Sequence, residues 1–182
     1  MLSMAQDDRI LAKDYYQNGK FKKALLIYKK LQTASSSNSD YNIKIIECHQ
    51  QLNQFNSAQD HIESQMRGSK HPQYLVELGY NYQLQNKPEQ ALLNYNQALL
   101  LTEQKPQYVY GVAKRFEAHS LLDQAIEVYE IGLLRSSNPN YYYQLAGLYA
   151  AKQNIEKMME RYMDYVKTNP PYINQVMRLL AD

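Results

Sequence analysis

The residues able to do chemistry in this chain are few and poorly placed for it. Four histidines (His49, His61, His71, His119) and one cysteine, Cys48, are the candidate ligands and nucleophiles. Cys48 and His49 are neighbours, and adjacent side chains on a helix diverge by about 100°. They cannot form a two-point site. No H-x3-H, C-x2-C or H-E-x-x-H spacing occurs, so a metal site has no support. Glycine-rich phosphate loops of the G-x4-G-K-[ST] or G-x-G-x-x-G kind are missing too. The paired carboxylates Asp7-Asp8 stand near the N-terminus, where a favourable interaction with a helix dipole is the simpler role. The sequence therefore predicts no catalytic residue, no metal and no cofactor.

Composition points to binding. Of 182 residues, 45% are apolar, enough to bury a core. The net charge of +2 is too mild to predict nucleic acid as the partner. Basic residues gather early: Arg9, Lys13, Lys20, Lys22, Lys23, Lys29 and Lys30 face only Asp7, Asp8 and Asp14 up to Leu31. Most of these cations fall on a predicted helix, where a solvated outer face is the plain explanation. Tyrosine is over-used, with 18 against three Phe and no Trp; its ring fills a helix interface while the hydroxyl stays wet. A lone cysteine excludes an internal disulfide framework, and no apolar run is long enough to span a bilayer. Ser3-Met4-Ala5 before Gln6 resembles the small-residue end of a secretory signal, without its charged and apolar parts; the alternative is the first turn of a helix. The compartment stays open between cytoplasm and, on the signal reading, periplasm or cell envelope.

The elements that carry these residues repeat. In Leu75–Ala98, L-x2-L-G-x2-Y (Leu75, Leu78, Gly79, Tyr82) is followed by A-x3-Y (Ala91, Tyr95) and a second alanine, Ala98. Small residues at these positions let two short helices approach closely. The alanine opening each second helix sets the period: Ala24, Ala58, Ala91, Ala125 and then Met158, at intervals of 34, 33, 34 and 33. Pro72, Pro88, Pro106, Pro139, Pro170 and Pro171 all fall where a helix should start or stop. The first hairpin is predicted as helices over 6–17 and 21–34 hinged at Asn18-Gly19, with Asp40 as N-cap of the next helix and Gly68 as a later helix stop.

This pattern resembles the tetratricopeptide repeat. The resemblance implies an all-α, right-handed α-solenoid of about five helix-turn-helix repeats in one array (5–38, 39–71, 72–105, 106–138, 139–171) plus a terminal helix over 172–182. Repeat two departs most, with Ile46 where a small residue is expected and His49 in place of an aromatic; bulk in a tight contact costs about 1–3 kcal/mol unless neighbours repack. The terminal helix, with Ile173, Val176, Met177 and Leu180 on one face, lacks the polar exterior of a capping unit. It reads as the start of a sixth repeat whose chain continues, or as a short cap.

The resemblance also implies a concave groove lined by the first helix of each repeat, and a role as a non-enzymatic protein-interaction scaffold for a peptide or partner helix. Helical spacing then nominates exposed positions, chief among them Tyr80, Tyr110, Lys114 and Tyr143, with Glu47, Gln50 and Gln83. Tyrosine suits such a surface; its alternative role here is packing between repeats. Chaperone-binding members clamp a peptide's terminal carboxylate with basic residues from three first helices. Arg9, Lys13 and Lys44 could supply the first part, but Gln73 and Glu77 stand where cations are needed, so no such clamp is expected. The alternative function is a structural spacer that self-associates through Tyr172–Leu180.

Overall fold

The five alanines Ala12, Ala24, Ala58, Ala91 and Ala125 are all 3% exposed or less. At that degree of burial a larger side chain would have to displace its neighbours. The computed structural model of the protein describes residues 2–35, 38–68, 71–136 and 138–181. The helices run α1 (Leu2–Gln17), α2 (Phe21–Ala34), α3 (Ser39–Gln51), α4 (Phe55–Gly68), α5 (Pro72–Leu84), α6 (Pro88–Gln104), α7 (Val109–Ala118), α8 (Leu122–Arg135), α9 (Asn140–Ala151), α10 (Ile155–Thr168) and α11 (Ile173–Ala181). Short 3-10 turns at Pro106–Tyr108 and Pro170–Tyr172 lead into α7 and α11. The helix ends at Gln17, Phe21 and Ala34 match the sequence expectation; α1 starts earlier than expected.

The prolines act as anticipated. Pro72 opens α5 and Pro88 opens α6, where a missing N–H costs nothing. The expected cap at Asp40 is corrected: Asn38 caps α3, its side chain accepting from Asp40 N at 3.0 Å. Asn138 repeats that bond with Asn140 N at 3.1 Å.

The turns inside the hairpins share one solution. Gly19, Asn53, Asn86, Ser120 and Gln153 all have φ between 56° and 69°, and they recur at the same 34, 33, 34 and 33 spacing as the alanines. After each, an N–H reaches back to a carbonyl in the closing helix: Lys20 to Tyr15 at 2.8 Å, Gln54 to His49 at 2.9 Å, Lys87 to Tyr82 at 3.0 Å, Leu121 to Phe116 at 2.9 Å, Asn154 to Tyr149 at 2.9 Å. These bonds satisfy carbonyls that a helix end otherwise leaves unpaired. From Asn38 to Asn53, His71 to Asn86, Lys105 to Ser120 and Asn138 to Gln153 the distance is 15 residues every time. The one-residue variation of the period therefore falls in the second helix and the connector behind it.

The chain divides into two compact units, residues 1–94 and 95–182, with the boundary inside α6. In the first unit, Ala12, Ala24, Tyr28, Leu31, Tyr41, Ile45 and Cys48 form one buried cluster. A second joins Ile43, Ile46, Ile62, Tyr74 and Leu78. Ile46, expected to crowd repeat two, is fully buried within this cluster. In the second unit Tyr95 meets Phe116 edge-on at 5.4 Å, and Tyr129 lies 5.5 Å from Tyr141. Gly132 permits the close passage of α8: a Cβ there would stand 2.7 Å from both Val109 Cγ1 and Tyr141 Cε2. Ala146, Tyr162, Tyr165 and Val176 close the last cluster, through which α11 docks.

Candidate partner-binding surfaces on the first helices

Cys48 and two of the histidines, His49 and His61, are taken up by packing and hydrogen bonding. Cys48 is fully buried, and its thiol is pushed up to about 12, first by burial and then by Glu47, with Lys44 opposing. Such a thiol carries almost no thiolate at neutral pH. His61 Nε2 donates to Asn42 Oδ1 at 3.1 Å, and His49 Nδ1 donates to Gln54 Oε1 at 2.8 Å. Burial dominates in lowering both imidazoles, His61 to about 4, with nearby Lys29 adding to the effect. Both are neutral hydrogen-bonding groups at pH 7. Among the described residues no three His, Cys, Asp or Glu side chains are grouped to hold a metal. No helix of the described residues is long and apolar enough to cross a membrane.

In the first unit a cleft of about 830 Å³ opens between α1 and α3. Arg9 and Lys13 reach it from successive turns of α1, and Lys44 reaches it from α3. Tyr16 and Tyr41 supply aromatic lining, and Asp40 is the carboxylate on its wall. Lys44 Nζ is fixed twice, 2.6 Å from Glu47 Oε2 and 4.1 Å from the Tyr16 ring centre. Glu47 neutralises Lys44, whereas Arg9 and Lys13 are exposed cations. Tyr28, also on the wall, has its hydroxyl raised to about 12, chiefly by burial. It stays protonated as a donor or acceptor.

Glu47 and Gln50, nominated as exposed groove positions, are buried at 7% and 3% exposure. Glu47 holds Lys44, and Gln50 Nε2 donates to the Glu77 carbonyl at 3.3 Å. Glu77, expected to repel an entering carboxylate, is fully buried. Tyr80 is half-buried and Gln83 exposed on α5, and both have partners.

The second unit carries its own patch. Tyr110 is 55% exposed, and Lys114 Nζ stands 5.8 Å from its ring centre. Lys114 also meets Glu117 Oε2 at 2.7 Å and Gln144 Oε1 at 3.4 Å. The Tyr129 hydroxyl donates to Glu117 Oε1 at 3.0 Å; burial first, then the charge of Glu117, raises its pKa. The chain Tyr129–Glu117–Lys114 thus anchors an ammonium beside an exposed ring. Tyr143 belongs elsewhere, its ring packed on Tyr162 at 6.0 Å and Tyr165 at 5.6 Å.

Sequence spacing does not reveal the α1–α3 cleft as a unit, although it groups Arg9, Lys13 and Lys44 as the cations of an incomplete carboxylate clamp. The signal that could find it is the stacking of Arg9 and Lys13 at i, i+4 facing a lysine one repeat on.

By sequence, no family model and no curated protein matches the chain. Among solved structures, it is similar to a crystal structure of MamA, at 15% identity over 96% of each chain and a TM-score of 0.47. It is also similar to TTC0263 of Thermus thermophilus, a thermophilic tetratricopeptide protein (15% identity, 97% of each chain, TM-score 0.49). A third likeness is to YrrB, a tetratricopeptide protein with an unusual peptide-binding site (20% identity, 87% of this chain and 83% of that one, TM-score 0.42). The repeated period, the buried alanines and the recurring turn settle the fold from within. The described residues form an all-α series of helical hairpins with the period and turn that the tetratricopeptide resemblance implies.

Proposed function

We propose that this protein is a non-enzymatic interaction scaffold that holds an acidic peptide segment of a protein partner against its first helices. The observation that carries this reading is the α1–α3 cleft, where Arg9, Lys13 and Lys44 meet Tyr16 and Tyr41. Cations beside fixed aromatic rings suit carboxylates interspersed with apolar side chains. Tyr110 and Lys114 in the second unit offer a further contact of the same composition, and Tyr80 and Gln83 remain candidates on α5. Glu47 and Gln50 serve this reading by positioning, and Tyr143 by packing. Nucleic acid is not the partner proposed, and no cofactor is required.

The test is selection from a random peptide library, followed by anisotropy titration of the enriched peptides. Acidic sequences containing aromatic or aliphatic residues should be enriched. Arg9→Ala/Lys13→Ala should weaken them about tenfold or more, as expected for losing two complementary charges. Tyr110→Ala serves as the equivalent probe of the second patch. Enrichment without acidic bias, or unchanged affinity in the double variant, would refute the reading.

A second reading, self-association by a spacer segment, is favoured by α11. Tyr172, just before it, and Ile173, Met177, Leu179 and Leu180 within it are 37–62% exposed, and Val176 is its buried residue. Met177→Glu should abolish any dimer seen by sedimentation; a strictly monomeric wild type would dismiss it.

A further inference from the structure

The charge of the first hairpin is divided between two surfaces. Arg9 and Lys13 belong to the cleft described above; the lysines of α2 do not. At 100° per residue, Lys22, Lys23, Lys29 and Lys30 fall within an arc of about 120°, and Leu26 lies near the middle of it. All four lysines are exposed, and Leu26 is 71% exposed. The opposite side of the same helix carries the buried Ala24, Tyr28 and Leu31, so rotation of α2 cannot hide this face.

Little neutralises it. Lys30 pairs with Asp8 at 2.7 Å while its side chain stays 65% exposed. Lys23 lies 5.4 Å above the Tyr15 ring, which orders the stem without cancelling the charge. Among the ion pairs of the described residues, none joins Lys22 or Lys29 to a carboxylate. None of its residues lines the α1–α3 cleft, and its centre is the aliphatic Leu26 rather than an aromatic ring of the kind that protein interfaces use. Instead, flexible ammonium stems surround one projecting aliphatic side chain. That arrangement fits a ligand whose negative charges are mobile and whose interior is hydrocarbon. Lysine stems spread across a headgroup layer while the leucine enters the acyl boundary.

We propose that the outer face of α2, Lys22, Lys23, Leu26, Lys29 and Lys30, is a docking surface for an anionic phospholipid bilayer. The complementarity is electrostatic: four clustered cations meet the negative surface potential of acidic lipids, and attraction decays within a Debye length. The partner cleft is lined from α1, α3 and the buried Tyr28 on the opposite side of α2, so a peptide and a bilayer would be bound by different residues.

The experiment is flotation of the full chain with large vesicles of phosphatidylcholine, alone or mixed with phosphatidylserine, at low and high salt. Binding is expected with phosphatidylserine, at low salt, and to be largely lost at high salt. Lys22→Ala/Lys29→Ala should weaken it by roughly 25-fold, about fivefold for each lysine. Lys22→Arg/Lys29→Arg should retain it. Leu26→Ala should weaken it further at either salt, and Lys105→Ala, an exposed lysine outside this face and outside the cleft, should leave it unchanged. Circular dichroism of each variant checks that the exposed substitutions leave the fold intact. Absent binding, equal binding to pure phosphatidylcholine, or indifference to the double alanine variant overturns the proposal. Polyglutamate binding lost in the same double variant, with no vesicle binding, overturns it in favour of an acidic protein partner.

Discussion

Gly132 and Gly147 should respond oppositely to the same substitution. Both lie inside helices, α8 and α9, where glycine costs about 0.5–1 kcal/mol relative to alanine. At Gly147 an added Cβ would meet nothing within 4 Å beyond its chain neighbours and its own helix backbone, and the position is exposed. Gly147→Ala should therefore recover that amount in full. At Gly132 the new methyl would sit 2.7 Å from Val109 Cγ1, 2.7 Å from Tyr141 Cε2 and 2.8 Å from Tyr141 Cδ2. Carbon atoms prefer about 3.5–4.0 Å, so neighbours must retreat by close to an ångström. Val109 is fully buried, and Tyr141 leans on Tyr129, itself 0% exposed. Overpacking of this kind costs about 1–3 kcal/mol, and the helix-propensity gain offsets only part of it. Gly132→Ala should lose about 1–2 kcal/mol, placing the two variants about 1.5–3 kcal/mol apart. Urea titrations followed by far-ultraviolet circular dichroism will read that separation as midpoint shifts of opposite sign. Hydrogen exchange should localise the Gly132 effect to α7, α8 and α9. Val109→Ala should be less harmful in the Gly132→Ala background than in wild type, because it vacates one of the contested positions. Two variants with shifts of the same sign, or no coupling to Val109, would refute the packing argument.

Other outcomes follow from features already described. Ser120 and Gln153 hold left-handed backbone that costs a non-glycine residue about 1–2 kcal/mol, and both side chains are exposed. Ser120→Gly and Gln153→Gly should each raise stability by about 0.5–1 kcal/mol after glycine's entropic cost; Asn53→Gly and Asn86→Gly should change little, since asparagine tolerates this region. His61 is held near 4 in the fold against about 6.5 unfolded. Above pH 6.5 both states are neutral and its contribution is complete; as pH falls towards 4 the unfolded state protonates first, and stability is lost. With discounting for the ring's partial exposure the loss is roughly 1–2 kcal/mol, and His61→Gln should flatten the urea midpoint between pH 6.5 and 4. Cys48, buried with a thiol near 12, should ignore a thiol reagent in the native protein and react once urea unfolds it.

The fold was largely legible because its information is local. A period written in alanines, prolines at helix starts and the Asn18-Gly19 hinge depend on residues close in sequence. Gly19 announces its own turn; Ser120 and Gln153 do not, since neither residue type favours positive φ, and only their spacing gives them away. Asn38 displaced Asp40 as the cap of α3 because candidates this close together differ only by a small shift of register, which sequence alone does not resolve. The candidate surface was less legible. Counting i, i+4, i+7 treats every first helix alike, but α3 is flanked by hairpins on both sides. Gln50 spends its amide on a carbonyl 27 residues away in α5, and Glu47 spends its carboxylate on Lys44. Tyr143 turns to its own second helix and Tyr110 does not, a choice set by the tyrosines at 162 and 165. Contacts between repeats decide exposure, and these are not written in the period.

The constant count from Asn38, His71, Lys105 and Asn138 to the left-handed turn residue has a consequence for how the chain tolerates change in length. One half of each hairpin behaves as a ruler and the other as slack. A residue inserted between His71 and Asn86 would rotate the first helix by about 100° against its turn, burying polar groups and exposing the alanine seam. The same insertion behind Ala34 or Arg135 enters a stretch where the natural period already alternates between 33 and 34. Recombination that duplicates or deletes a hairpin can therefore break the chain in these trailing connectors and leave each ruler whole. Tags, protease sites or grafted repeats belong there for the same reason.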